Sequence, residues 1–254
     1  MLTDTHTHLY SGAFDEDRAE MIQRAIDKGV TRFFIPAIDS SYTERMYALE
    51  QEFSDNVHLM MGLHPTSVKE NFEAELQHVE AQFRKRNFIA VGEIGVDLYW
   101  DTTTLDIQQE AFRRQIQLAK DHQLPIVIHC RDAFDEVFEV LEECKDDRLF
   151  GIFHCFTGTY DQALQAIRYN MKLGIGGVVT FKNGKIDTFL DTIDIKHIVL
   201  ETDAPYLAPA PYRGKRNESA YVRLVCQKVA DIYGLSEAEV ARITTENSKE
   251  IFGI

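Results

Sequence analysis

The chain has 254 residues, 44% of them hydrophobic and 27% charged, values that exclude a disordered or fibrous protein and leave room for a substantial core. A net charge of −14 excludes binding of nucleic acid through bulk charge alone, so any phosphate ligand needs a specific local site. Four cysteines without a C-x-x-C pair exclude a disulfide framework, and the absence of a basic leader or a run of ~18 apolar residues predicts a cytoplasmic protein that does not span a membrane.

Apolar segments of strand length alternate with helical patterns from the first residues onward. The first strand is expected to end near His8, with alternation sending His6 and His8 of Asp4-Thr5-His6-Thr7-His8 to one face. Asp15 can cap a helix carrying Ala19, Ile22 and Ile26. The second strand ends near Pro36 and the third at His64, after which Asn71 can cap a helix whose Phe72, Leu76, Val79 and Phe83 recur at helical spacing. Phe88 to Glu93 is the fourth strand, and Phe112, Ile116 and Ala119 share a face of the helix behind it. The fifth strand runs from Pro125 to His129 and is followed by the helical pattern Phe134, Val137, Phe138, Leu141; the sixth runs from Phe150 to His154. The seventh ends near Gly176 and the eighth near Asp203, with a helix expected after each strand. From about residue 217, Val222, Val225, Val229 and Ile232 and a Ser236-to-Glu239 capping box predict further helices over the outside of the sheet.

Eight such units without a linker or composition shift predict one domain, residues 1–254, with the α/β fold of a (β/α)8 TIM barrel. A doubly wound sheet is the lesser alternative, because Gly174-Ile175-Gly176-Gly177 lacks the third glycine of a dinucleotide fingerprint. Barrel active sites lie at the carboxyl ends of the strands, where this sequence places His6, His8, His64, Glu93, His129, His154, Glu201 and Asp203. Any one of these reads as a satisfied core residue. Together they would be costly to bury without a cation, and four histidines, a glutamate and an aspartate suffice for two divalent ions. Glu93 is the expected bridge, since its strand lies between those that supply the other ligands. Cys130 and Cys155 are expected as small apolar fillers on the outer barrel face.

The segments Asp4-Thr-His-Thr-His8, Gly62-Leu-His-Pro65, Val91-Gly-Glu-Ile-Gly-Val-Asp97, Pro125-Ile-Val-Ile-His-Cys-Arg131, His154-Cys-Phe-Thr-Gly158, Glu201-Thr-Asp-Ala-Pro-Tyr206 and Arg213-Gly-Lys-Arg-Asn-Glu218 occur in that order along the chain. In this the sequence resembles the TatD-like metal-dependent DNases, amidohydrolase-type barrels, from residue 4 to the Thr245-to-Lys249 helix. The resemblance implies that His6, His8 and Asp203 hold one metal, that His129 and His154 hold the other, and that Glu93 bridges them. It places His64, Asp97 and Arg131 around the substrate, with His64 or Arg131 on a phosphate. Asp4 and Glu201 share faces with His6 and Asp203 and are expected to hydrogen-bond the ligands. Ser219 stands where the common family form has proline, which touches no expected ligand.

The expected activity is hydrolysis of DNA phosphodiesters, trimming single strands from an end. Two ions about 4 Å apart, Mg²⁺, Mn²⁺ or Zn²⁺, would lower the pKa of a bridging water whose proton passes to Asp203. Arg131, Arg213, Lys215 and Arg216 are expected on loops at the barrel mouth, offsetting the negative net charge there. Hydrolysis of an ester or amide, such as an aminoacyl-tRNA linkage, is the alternative; relatives that cleave amides often carry a modified lysine after the fourth strand, where Glu93 stands. A non-catalytic metal-binding module is the third reading, and no obligatory protein partner is expected.

Overall fold

The computed structural model, which describes residues 1–254, has the strand and helix order β1 (Leu2–Asp4), α1 (Arg18–Asp27), β2 (Val30–Ile35), α2 (Thr43–Glu52), β3 (Val57–Leu59), α3 (Phe72–Lys85), β4 (Val91–Asp97), α4 (Leu105–His122), β5 (Ile126–Arg131), α5 (Phe134–Cys144), β6 (Gly151–Phe153), α6 (Tyr160–Arg168), β7 (Met171–Ile175), β8 (Ile198–Leu200), α7 (Val222–Tyr233) and α8 (Glu237–Phe252). All neighbouring strands pair in parallel, in the order β1-β2-β3 and β4 through β8. Two seams close the barrel. Met61 bridges to Val91, with Gly92 N–H donating to Met61 O at 3.1 Å, and Thr5 N–H donates to Leu200 O at 3.0 Å. The predicted TIM barrel is therefore the observed fold.

Local chemistry departs from the expected pattern in places that matter for the site. Between β7 and β8 there is no α-helix, only short 3-10 turns at Gly177–Thr180, Ile186–Thr188, Leu190–Thr192 and Ile195–His197. The hydroxyls of Thr180, Thr188 and Thr192 donate to the carbonyls three residues before them, so each turn satisfies itself instead of propagating. Asp15 does not cap α1; it pairs with Arg18 and Arg45. The helix starts at Arg18 and buries Met21, Ile22 and Ala25, whereas Ala19 is exposed. Asn71 holds the N-cap position of α3 without a capping bond, its amide donating to Glu75. The Ser236–Glu239 capping box of α8 is formed as expected.

Two apolar layers hold the barrel. Phe33, Ile35, Ile126 and Ile128 face the helices, while Phe34, Met60, Ala90, Val127, Ile152 and Val199 fill the interior below the site. Ile251 and Phe252 join the interior layer, with Phe252 stacked on Phe34 at 4.1 Å between centroids. The end of α8 thus plugs the amino-terminal end of the barrel, which corrects the expectation that the last helices only cover its outside. A closed floor leaves the carboxyl-terminal mouth as the open end.

Candidate metal centre and cleft

Glu93 is the hub of the mouth. Its side chain is buried, and five imidazoles converge on its two oxygens: His6 Nε2 at 3.0 Å and His8 Nε2 at 3.6 Å from Oε2, and His129 Nδ1 at 2.8 Å, His64 Nε2 at 3.3 Å and His154 Nε2 at 3.5 Å from Oε1. Asp203 Oδ1 lies 3.5 Å from His8 Nε2 and 4.0 Å from His6 Nε2. β4 and β5 approach closely enough beside Glu93 that Gly95, at φ +139°, has no room for a side chain: a Cβ there would lie 2.0 Å from His129 O. His6 and His8 sit just past β1 rather than within it, and His64 sits past β3, at the start of the Pro65–Ser67 turn. Their convergence comes from the loops as much as from strand alternation.

Hydrogen bonds on the far side of the His8, His129 and His64 rings fix which nitrogen faces Glu93, whereas His6 Nδ1 has no such partner. Tyr10 Oη donates to Pro36 O at 2.9 Å, so it accepts from His8 Nδ1 at 2.9 Å and leaves His8 Nε2 as a lone pair toward the site. His129 Nε2 donates to Asp97 Oδ2 at 2.8 Å, which turns Nδ1 inward. His154 Nδ1 lies 3.0 Å from Glu201 Oε1, off the line of a good hydrogen bond, and Glu201 also accepts Cys155 N–H at 2.6 Å. Gly174 makes the space for Glu201, since a Cβ there would stand 2.3 Å from Oε2. His64 differs: its Nδ1 accepts Thr66 N–H at 3.1 Å, so the proton sits on Nε2 and makes it a donor toward the site. Asp4 grips Thr202 through its backbone N–H at 2.9 Å and its hydroxyl at 2.6 Å, fixing the segment that carries Asp203. Asp4 also accepts the backbone N–H of His6 at 3.5 Å, so its expected bond to a ligand residue is made through the backbone and not to the imidazole.

The electrostatics fit a cation. Burial alone would raise the Glu93 carboxyl, but the charges of His6, His64 and His154 hold it well below the usual range; Asp203 is likewise lowered against burial, by its bond to His8 and the charge of His154. Burial depresses His6 and His64. His154, despite the opposing effect of burial, is pushed up to about 10 by Glu201 and Glu93, and His129 is raised by its bonds to Asp97 and Glu93. The buried atoms His6 Nε2 and Glu93 Oε2 have no aligned hydrogen-bond partner. Orphaned lone pairs of an imidazole and a carboxylate 3.0 Å apart are what a divalent ion would satisfy. Ligand atoms cluster within 4.8 Å in the sets His6–His8–Asp203, His6–Glu93–His154 and His64–Glu93–His129.

Above the hub opens a cleft of about 790 Å³. Arg131, Arg213 and Lys215 line it and have no carboxylate partner; Arg131 stacks on Tyr99 at 3.6 Å and Arg213 on Phe181 at 3.5 Å. Arg216 does not join them, because Asp17 and Ala13 O hold it outside the cleft. Cys130 packs against the outer apolar layer as expected while touching the edge of the cleft, whereas Cys155 borders the cleft instead of the outer barrel face. Strand alternation stops at the rim, and the left-handed φ of +43° at Cys155 turns the chain back toward the mouth. The sequence reading missed Tyr10, two residues beyond His8, and the exposed pair Tyr99 and Trp100. The aromatic pair two and three residues after Asp97 was the available signal.

The family model for TatD related DNase matches residues 3–253. The chain is 39% identical to the uncharacterized metal-dependent hydrolase YabD of Bacillus subtilis over the full length of both, and 31% identical to a protein of Rahnella sp. named 3′-5′ ssDNA/RNA exonuclease TatD, covering 97% of this chain and 96% of that one. The crystal structure of YjjV, a TatD homolog from Escherichia coli, superposes with a TM-score of 0.93 at 27% identity, over 100% of this chain and 98% of the other. A hydrolase from Entamoeba histolytica, at 19% identity and a TM-score of 0.86, shares the fold. Matched along essentially its whole length by the family model, the chain belongs to the TatD-related DNases and is a metal-dependent hydrolase.

Proposed function

We propose that the protein is a divalent-metal-dependent deoxyribonuclease that hydrolyses phosphodiester bonds from the ends of single strands in the cytoplasm. The observation that carries this reading is the convergence of His6, His8, His129, His154 and Asp203 around Glu93, at the base of a cleft lined by three cations without carboxylate partners. His6, His8 and Asp203 would hold one ion, His129 and His154 a second, and Glu93 would be shared; this mixture of imidazole and carboxylate donors suits Zn²⁺, Mn²⁺ or Mg²⁺. When bound, the pair supplies a nucleophile from water at neutral pH and neutralises charge on the phosphate.

The chain's own groups account for the rest. Asp203 is held ionised at the site and can take the proton of the attacking water. His64 presents Nε2–H to a phosphate oxygen, its orientation fixed by Thr66 N–H on the other nitrogen. The Arg131 guanidinium, without a carboxylate, offers its fork to the phosphate backbone, and Arg213 and Lys215 extend the positive rim. The −14 net charge is thereby offset where the polyanion would bind. The Rahnella protein's name supports single-stranded DNA, and RNA beside it, as the substrate class.

The test is an assay of end-labelled single- and double-stranded DNA, RNA and aminoacyl-tRNA with Mg²⁺, Mn²⁺ or Zn²⁺. Progressive shortening of single-stranded DNA is expected. Intact DNA under every condition, with release of the aminoacyl group instead, would overturn the nuclease reading and leave an esterase.

A further inference from the structure

Seven large hydrophobic side chains are exposed, and two of them, Met1 and Ile254, are chain ends. Of the other five, Trp100, Tyr206 and Leu207 line the cleft, and Tyr99 lies under the cleft residue Arg131. Exposed aromatic surface is therefore concentrated where the proposed substrate enters. Trp100, the chain's single tryptophan, is 71% exposed.

Its presentation is built. The Asp97 Oδ1 atom accepts the backbone N–H of both Tyr99, at 3.0 Å, and Trp100, at 3.2 Å, closing a tight turn directly after β4. Arg131 covers one face of Tyr99, and Trp100 stands perpendicular to Tyr99, at 4.9 Å between centroids and 90° between planes. Arg131 also stands over the indole, 5.7 Å from its centroid, so the ring is steadied from one side while most of its surface stays open to solvent. An exposed indole costs solubility and gains nothing from the core, so its place at the lip of an acidic-floored, basic-rimmed cleft asks for a ligand with a flat π-face and a negative charge nearby.

We infer that Trp100 is a stacking platform for an unpaired nucleobase of the substrate, with Arg131 beside it to take the adjoining phosphate. The inference rests on the nuclease reading and deepens it, because it explains a preference for single strands. A base in a duplex has both faces covered by its neighbours, whereas an unpaired base offers a face to an aromatic ring. Stacking is tolerant of base identity, so the platform selects strand state rather than sequence.

The single tryptophan supplies a readout independent of turnover. Stopped-flow mixing of the metal-loaded full chain with a short oligothymidylate should quench the Trp100 fluorescence, and an abasic oligomer of equal length and charge should bind about tenfold more weakly or worse. In steady state, Trp100→Ala should raise KM for the oligothymidylate about ten- to a hundredfold with kcat within about twofold, Trp100→Phe should restore most of the loss, and neither should change KM for the abasic oligomer. Equal affinity for the two oligomers, or an unchanged KM in Trp100→Ala, overturns the platform while DNA cleavage by the wild type keeps the nuclease reading. A wild type that neither binds nor cleaves either oligomer overturns both.

Discussion

Asp97 accepts the Nε2 proton of His129 at 2.8 Å, and its other oxygen holds the turn that presents Trp100, so one carboxylate ties a candidate metal ligand to the rim of the cleft. Asp97→Asn should weaken the grip on the imidazole and lower metal affinity about 10- to 100-fold, as removal of a partner behind a ligating histidine does elsewhere. Competition with a chelator measures this. Unchanged affinity would show that His129 is not a ligand or needs no partner.

Glu93→Gln and Asp203→Asn should each abolish turnover while leaving the far-ultraviolet circular dichroism spectrum unchanged. The substitutions are nearly isosteric, and both residues stand among the site's imidazoles rather than in the apolar layers. Glu93 is shared by both candidate ligand sets, so its variant should also lose metal by elemental analysis. Activity within tenfold of the wild type in Glu93→Gln would contradict the hub assignment.

Metal binding should release protons. His154, at about 10, carries a proton in the metal-free protein at pH 7, and an imidazole must be neutral to ligate. Affinity and rate should therefore fall as the solution is acidified. For the metal-free chain the sign for His154 is opposite: a folded value above the ordinary 6.5 stabilises fully below pH 6.5, and this is lost as pH rises through about 10. The lowered Glu93 and Asp203 stabilise above their ordinary values and lose that contribution in acid. Calorimetry in buffers of different ionisation enthalpy counts the protons, and a count of zero at pH 7 would rule out protonated ligands.

Arg213→Ala and Lys215→Ala should raise KM for DNA and flatten its dependence on salt, since each removes a phosphate contact. Arg216→Ala should leave KM unchanged and cost stability only, because that guanidinium is committed to Asp17. KM measured across a salt series separates the three. Equal effects would mean that Arg216 leaves Asp17 to meet the substrate.

Phe252→Ala should destabilise the fold by about 3–5 kcal/mol, the usual cost of removing a buried phenyl ring. The ring closes the barrel floor against Phe34, remote from the mouth. A lower denaturation midpoint with kcat retained is the expected result, and lost activity in the fully folded variant would connect floor to site.

The alternation of apolar strands and amphipathic helices, and the polar residue ending so many strands, are local patterns, and they determined the barrel and the identity of His6, His8, Glu93, His129, His154 and Asp203 as candidates. Local periodicity carries that much because burial imposes it residue by residue. What it cannot carry is which partner a side chain meets far along the chain. Arg216 reads as basic in the sequence just as Arg213 does, and only packing against Asp17, 199 positions away, takes it out of the cleft. The proton on His64 Nε2 follows from its contact with Thr66, the grip of Asp4 on Thr202 from the closing of β8 against β1, and the plug of Phe252 from α8 folding under the barrel. Donor geometry, tautomer and charge partner are set by neighbours in space, so they were decided only when the chain closed on itself.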